Sequence, residues 1–315
     1  MSSGRYWDLG LKLVGGCEPV SPGCGNCWSA PETYIRAHQT NPIIRTRNEG
    51  LVERVEGHYR WTGQVRLNPD LLRHLLVRRR KQPFFISIWN DLFHPAVPFM
   101  FIGEVFALVE GNPTITVLAC TKRPERAVEF SKWWRSQSGY PFPWPRNLWA
   151  GTTGENQELA DKRVFHLLRI PAAVHFLSYE PALGPLDLAR FLFHIGHGLL
   201  GGGCLDCECA PGCNHGKLNW VIAGGETGPH ARPAGLEAMR SLRDQCAEAK
   251  VAFWLKGWGE WRDMLDPGIG QFRPVGAQEA EQRLAVVEGD AFLRVGRAKA
   301  GRLLDGVEHN GRPLA

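Results

Sequence analysis

One arrangement recurs along this chain and does most to limit its fold. A short apolar, β-rich run ends in a polar signature and is followed by a helical stretch. The first run, residues 7–16, ends at a cysteine cluster. Residues 84–89 (FFISIW) end at Asn90-Asp91, and residues 115–119 at Cys120-Thr121-Lys122-Arg123. Residues 148–151 lead into Thr152-Thr153-Gly154-Glu155-Asn156, and residues 173–178 into Tyr179-Glu180-Pro181. Residues 219–223 precede Gly224-Gly225-Glu226, and residues 251–256 precede Gly257-Trp258-Gly259-Glu260. Helical patterns fill 101–109, 124–134, 157–168 and 236–249. Strand and helix in alternation imply an α/β fold with a parallel sheet. Polar residues after nearly every strand favour a partial or full (β/α) barrel over a doubly wound sheet, because a barrel collects its site at the strand C-termini.

Several stretches depart from the rhythm. Residues 51–67 read as a hairpin, and Asn68-Pro69-Asp70 opens a helix through Leu71, Leu72, Leu75 and Leu76, with Asn and Pro as its start signal. A Gly- and Cys-rich insert spans 194–216. From about 263 the alternation stops, leaving a helix candidate at 277–286 and a strand-like run at 291–295. The expected organisation is a barrel unit over 1–262, including the insert, and a small appendage over 263–315.

Hydrophobic residues make up 43% of the 315, enough for a sizeable core, and the formal charge is +5. That mild basicity permits an anionic partner without requiring one. No apolar run approaches the ~18 residues that cross a bilayer, and MSSGRYWDLG has no apolar segment of the secretory kind. A cytoplasmic protein with no membrane partner is expected. Basic and aromatic residues interleave at Lys132-Trp133-Trp134-Arg135 with Tyr140, Phe142 and Trp144, a pattern that stacks bases or packs under a proline loop. Arg73, Arg78, Arg79, Arg80 and Lys81 cluster at a helix end, where they favour the dipole or bind phosphate.

Seven of the nine cysteines fall into two tight clusters. In a reducing compartment such spacing reads as metal ligation. Cys17, Cys24 and Cys27 are spaced C-x6-C-x2-C, with Pro19, Pro22, Gly23 and Gly25 between and around them. Structural zinc wants four closed ligands. Three thiolates suit a [4Fe–4S] cluster with one iron left open. A zinc site completed by a distant residue is the alternative. Cys204, Cys207, Cys209, Cys213 and His215 put five candidate ligands in twelve residues. They suit a structural zinc knuckle or an auxiliary iron–sulfur cluster, and a knuckle beside the mouth would help grip nucleic acid.

The segments WDLGLKLVGGCEPVSPGCGNCW, SIWNDLFHPAVP, LACTKRPERA, LWAGTTGENQELADKR, VHFLSYEPALGPLDL, NWVIAGGETGPHARP, FWLKGWGEW and LRVGRAKAGRLLDGVEHNG resemble a family of phage and bacterial three-cysteine proteins regarded as radical S-adenosylmethionine (SAM)-like. The resemblance runs in order from about Trp7 to Gly311, and the insert around Cys204–His215 is its least typical part. It implies a radical SAM barrel, a [4Fe–4S] cluster on Cys17, Cys24 and Cys27, SAM as cofactor and an external electron donor. Such an enzyme reductively cleaves SAM to a 5′-deoxyadenosyl radical. The first cysteine spacing departs from the commoner C-x3-C-x2-C of such enzymes. The phage context implies a nucleobase substrate, such as a hypermodified thymidine in DNA, and a host-cell cytoplasm. A small-molecule or protein substrate, or a zinc-stabilised nucleic-acid-binding protein without redox chemistry, are the competing readings.

The resemblance also assigns roles at the barrel mouth. Asn90 and Asp91, after the second core strand, stand where the SAM amino group is held. Thr121 and Lys122, beside Arg123, suit the SAM carboxylate or a substrate phosphate. Glu155, Asn156, Ser178 and Glu180 follow the strands where ribose hydroxyls bind. Gly224 and Gly225 allow close approach to a ligand. Glu226 binds ligand or fixes its loop, and His230 and Arg232 stand within reach of substrate. Lys256 is expected to meet an anionic substrate group, and Lys122, Glu226 and Lys256 form the expected catalytic set. Cys120 reads as a small buried residue that, pointing inward, could give hydrogen to a substrate radical. Cys246 reads as structural.

Overall fold

The computed structural model of the chain describes residues 4–76, 84–86, 89–138, 144–193, 216–266, 283–287 and 289–313. Cys204, Cys207, Cys209, Cys213 and His215 lie outside them, as do Arg78, Arg79, Arg80, Lys81, Tyr140 and Phe142.

β1 (Leu9–Gly10) and β2 (Val14–Gly15) lead to the first cysteine cluster, and α1 (Ser29–Ala37) and α2 (Pro42–Asn48) follow it. Asn41 caps α2 by accepting from Ile43 N at 3.0 Å, with Pro42 in the first turn, where its missing N–H costs nothing. The expected hairpin is β3 (Val52–Val55) with β4 (His58–Trp61), and β5 (Arg66–Leu67) pairs antiparallel with β2. The helix expected after Asn68 is a 3-10 helix, Pro69–Leu76.

The regular alternation then begins. It runs β6 (Phe84–Phe85), α3 (Phe99–Glu110), β7 (Val117–Thr121), α4 (Pro124–Ser138), β8 (Leu148–Thr153) and α5 (Gln157–Leu167). It continues through β9 (His175–Tyr179), α6 (Ala189–Leu192), β10 (Trp220–Gly224), α7 (Leu236–Glu248) and β11 (Ala252–Gly257). The main sheet has the order β1-β6-β7-β8-β9-β10-β11, and every pairing is parallel. Among the described strands the order never reverses, so they contain no doubly wound switch point.

The sheet is rolled. Six steps of about 4.8 Å would hold β1 and β11 roughly 29 Å apart in a flat sheet. Yet Tyr6, just before β1, lies edge-on to Trp254 of β11 with ring centroids 6.0 Å apart. Trp254 Nε1 also donates to Gly4 O at 3.0 Å. Alternate strand residues divide between two cores. Val117, Ala119, Leu148, Ala150, Leu177, Val221, Ala223, Phe253 and Leu255 meet the helices. Leu118, Cys120, Trp149, Phe176, Trp220, Ile222 and Trp254 fill the inside with Tyr6.

The tail comprises β12 (Trp261–Asp263), β13 (Leu284–Val287), β14 (Asp290–Arg294), α8 (Arg297–Ala300), β15 (Leu303–Leu304) and β16 (Val307–Glu308). The helix expected over 277–286 is corrected at its described end. Leu284–Val287 is a strand paired antiparallel with β14, turned by Gly289 at φ 94°. The last residues are no loose appendage. Leu255 N donates to His309 O at 3.1 Å and Gly311 N to Phe253 O at 2.9 Å. They run antiparallel along the outer edge of β11, which would otherwise present unpaired backbone groups. Arg312 donates to Tyr6 O at 3.2 Å, so the tail fills the seam where the rolled sheet's ends approach.

The aromatic run near 133 is packing. Trp133 and Trp134 meet Phe99, Phe106 and Phe130, and Trp144 is buried with Nε1 donating to Leu148 O at 2.6 Å. No helix among the described residues is long and apolar enough to cross a membrane.

Candidate functional site

The cysteine loop leaves β2 through Gly16, at φ +85°. A Cβ there would stand 1.8 Å from Gln64 O, so the turn requires glycine. Pro22–Cys24 form a 3-10 turn, and the chain folds back with Cys24 N donating to Ser21 O at 2.9 Å and Cys27 N to Cys24 O at 3.3 Å. All three thiols are free and half-buried.

Residues from the C-terminal ends of four core strands grip this loop. Beyond β8, Glu155 is fully buried. It accepts from Ser21 Oγ at 2.6 Å and from Gly23 N at 2.6 Å. Lys122 Nζ pairs with the same carboxylate and donates to Ser21 Oγ at 2.9 Å. Arg163 approaches from α5 at 3.4 Å. A Cβ on Gly23 would lie 2.5 Å from the Glu155 carboxyl carbon, so glycine lets the carboxylate abut the loop. Beyond β10, Glu226 accepts from Asn26 Nδ2 at 3.1 Å, Arg232 N at 2.8 Å and Arg232 Nη2 at 2.6 Å. Arg232 reaches on to Pro22 O at 3.1 Å. After β7, Arg123 donates to Glu18 O at 3.2 Å. After β6, Trp89 O accepts from Ser29 Oγ at 2.8 Å.

The charges follow from these contacts. Burial pushes the Cys17 thiol up to about 12, with Asp91 adding to the shift, and Cys24 and Cys27 act on it too. Burial also raises Cys24, but Lys122, the Val20 N–H and Ser21 outweigh it and the thiol is lowered. Glu155 is likewise lowered: burial is overcome by Lys122, Ser21 and Gly23 N.

The donor set fits a centre carried on three thiolates. The cysteines share one loop and lie within electrostatic reach of one another. The neighbouring carboxylates are spent elsewhere: Glu155 and Glu226 as described, and Asp91 on Phe93 N, Thr121 Oγ1, Lys122 N and Arg123 Nη1. Among the described residues no three His, Cys, Asp or Glu side chains surround a single metal position.

Other expected site residues divide into struts and open groups. Asp91 and Thr121 are buried struts with their hydrogen bonds used internally. Asn156 caps α5, accepting from Leu159 N at 3.0 Å. Gly225 is a packing glycine whose Cβ would lie 2.0 Å from Trp258 O. Asn90 differs: it is 7% exposed, and its amide N and O have no partner among the described residues. An unpaired buried amide is costly until something satisfies it. Across the mouth, Lys256 Nζ pairs with Glu180 at 3.0 Å, and Ser178 Oγ donates to Glu180 at 3.2 Å. Neither group touches the cysteine loop in any of these contacts. Gly224 makes room for the pair, since a Cβ would meet Glu180 Oε1 at 2.6 Å. Cys120 faces the inner core, and burial pushes its thiol up to about 12. Cys246 is buried in α7 against the helix-side core.

Over residues 3–313 the chain matches the family described as Protein of unknown function (DUF5131). The chain belongs to that family. No curated protein and no solved structure matches it. Sequence reading alone overlooked three of the residues that hold this DUF5131 loop in place: Ser21, Asn26 and Arg163. Arg163 had a legible signal. It stands on the stripe of Ala160, Val164 and Leu167 that α5 buries, and a cation there needs an inward partner. Ser21 and Asn26 had none, because their partners lie more than a hundred residues away.

Proposed function

We propose that this chain is a radical SAM enzyme whose [4Fe–4S] cluster is held by Cys17, Cys24 and Cys27, and that it modifies or isomerises a nucleobase. The supporting observation is the grip on the three-cysteine loop. Two buried carboxylates, Glu155 and Glu226, tether it from the ends of β8 and β10 at the C-terminal mouth of a rolled, sequentially ordered parallel sheet, the end where such sheets gather reactive groups. A cluster held by Cys17, Cys24 and Cys27 would, once reduced by an external donor, supply the one electron for cleavage of the SAM C–S bond into methionine and a 5′-deoxyadenosyl radical.

The chain's own residues do the rest. Asn90, whose donor and acceptor are both unpaired among the described residues, receives the polar end of SAM. Glu155, Lys122 and Arg232 keep the loop from shifting as the centre is loaded. Ser178, Glu180 and Lys256 face substrate, the lysine meeting an anionic group. The aromatic inner core of Tyr6, Trp149, Phe176, Trp220 and Trp254 closes the space beneath the mouth against water. The resemblance to phage proteins suggests a thymidine-type base in DNA as substrate, which the net charge of +5 permits without requiring.

The test is anaerobic reconstitution with iron and sulfide, then SAM and dithionite. Release of 5′-deoxyadenosine, abolished in Cys24→Ala, is expected. Full iron loading with no cleavage of SAM would contradict the proposal.

A further inference from the structure

Lys122 was expected to bind a ligand, but its ammonium turns toward the cysteine loop. Lys122 Nζ lies 2.9 Å from Ser21 Oγ, and that hydroxyl lies 3.5 Å from Cys24 Sγ. The same sulfur receives Val20 N at 3.5 Å. Ser21 Oγ also meets Glu155 at 2.6 Å. Cys24 is the one cysteine of the three for which the structure shows both a backbone N–H and a cation-linked hydroxyl at its sulfur. The arrangement is partly sheltered: the Lys122 side chain is 22% exposed and Glu155 is 0% exposed.

Charge near a thiolate-held iron centre and hydrogen bonds to its sulfurs set its reduction potential. Reduction adds one negative charge. A nearby cation stabilises the reduced form, and a nearby anion opposes it. Resting on the reading above, we propose that Lys122, Ser21 and Glu155 are positioning residues that set the potential of the centre through Cys24. Lys122 raises it through its charge, and the Ser21 hydroxyl, which accepts from Lys122 and gives its proton to Glu155, keeps that ammonium beside the sulfur. Glu155 holds Lys122 in place and partly offsets its charge. The pair therefore fixes how strong a reductant the external donor must be.

The opposite charges make this testable. Full-length protein and the variants Lys122→Gln, Lys122→Arg, Ser21→Ala and Glu155→Gln are reconstituted anaerobically. Their one-electron midpoints are then read by mediator titration with paramagnetic resonance, at matched iron content and without SAM. Lys122→Gln and Ser21→Ala lower the reduced-to-oxidised ratio at fixed potential by about tenfold, or about 59 mV. Glu155→Gln raises it, and Lys122→Arg stays near the native value. General loosening of the loop would move all neutralising variants the same way. Shifts of one sign, or none at native iron content, overturn this inference and leave the enzyme assignment standing. A native chain that takes up no iron overturns both.

Discussion

At the scale of single residues, the site's carboxylates sort by what they hold. Glu155 receives an N–H, a hydroxyl and two cations. Removing it strands buried partners, which costs about 3–5 kcal/mol where a buried pair is broken. Glu155→Ala is expected to lose that much in chemical denaturation, and Glu155→Gln less. A loss under about 1 kcal/mol would mean the tether carries little. Lys12 offers a pH test. Burial, with Arg36 and Arg66 nearby, lowers it to about 7, although it donates to Thr33 and Asn48. Between about 7 and its ordinary value of 10.5 the unfolded chain holds the proton and the folded chain does not. The unfolded state binds more protons there, so Lys12 makes stability climb with pH, at up to about 1.4 kcal/mol per pH unit. The destabilisation is fully present below 7. Native protein should therefore gain more stability from pH 7 to 9.5 than Lys12→Met does, as measured by denaturant titration at both pH values. Equal gains would contradict the assignment.

At the scale of elements, the helices and strands of the βα alternation were legible because their periodicity is local. Residues 157–168 mark α5 and residues 219–223 mark β10 to within a residue or so. The candidate site was legible as a set of strand ends, since Glu155, Glu180, Glu226 and Lys256 all stand there. Its division of labour was not legible. Whether Glu155 meets a ribose or Gly23 N depends on how a loop more than a hundred residues earlier is folded, and no local pattern encodes that. The pairing of the tail's last residues was not legible for a related reason. Residues 309–311 carry no strand periodicity, and only the unpaired edge of β11 makes them pair. Truncation before His309 should expose that edge, lower the melting temperature and promote aggregation in light scattering. An unchanged melting curve would show that the seam closes without it. Trp134, whose ring lies against Gly103, is likewise a packing element. Trp134→Ala should cost roughly 2–4 kcal/mol while leaving the affinity for a labelled oligonucleotide unchanged.

At the scale of the whole molecule, the rolled sheet gives the mouth two sides. Asp91, Glu155, Glu226 and Arg232 are committed to the cysteine loop or to the strand ends beside it. Ser178, Glu180 and Lys256 are bonded to one another across β9 and β11. In the proposed enzyme the first side would carry the centre and the second would meet substrate. Lys256→Met should accordingly leave iron content native while altering product formation, and a lost cluster in that variant would contradict the division. In the proposed enzyme one corner of a three-cysteine cluster is open to SAM. The most direct measurement is the paramagnetic resonance spectrum of the dithionite-reduced, reconstituted protein with and without SAM. A spin-half cluster signal is expected whose g-values shift when SAM is added and that is lost in Cys24→Ala. A signal indifferent to SAM, or a colourless protein holding only zinc at Cys17, Cys24 and Cys27, would contradict it.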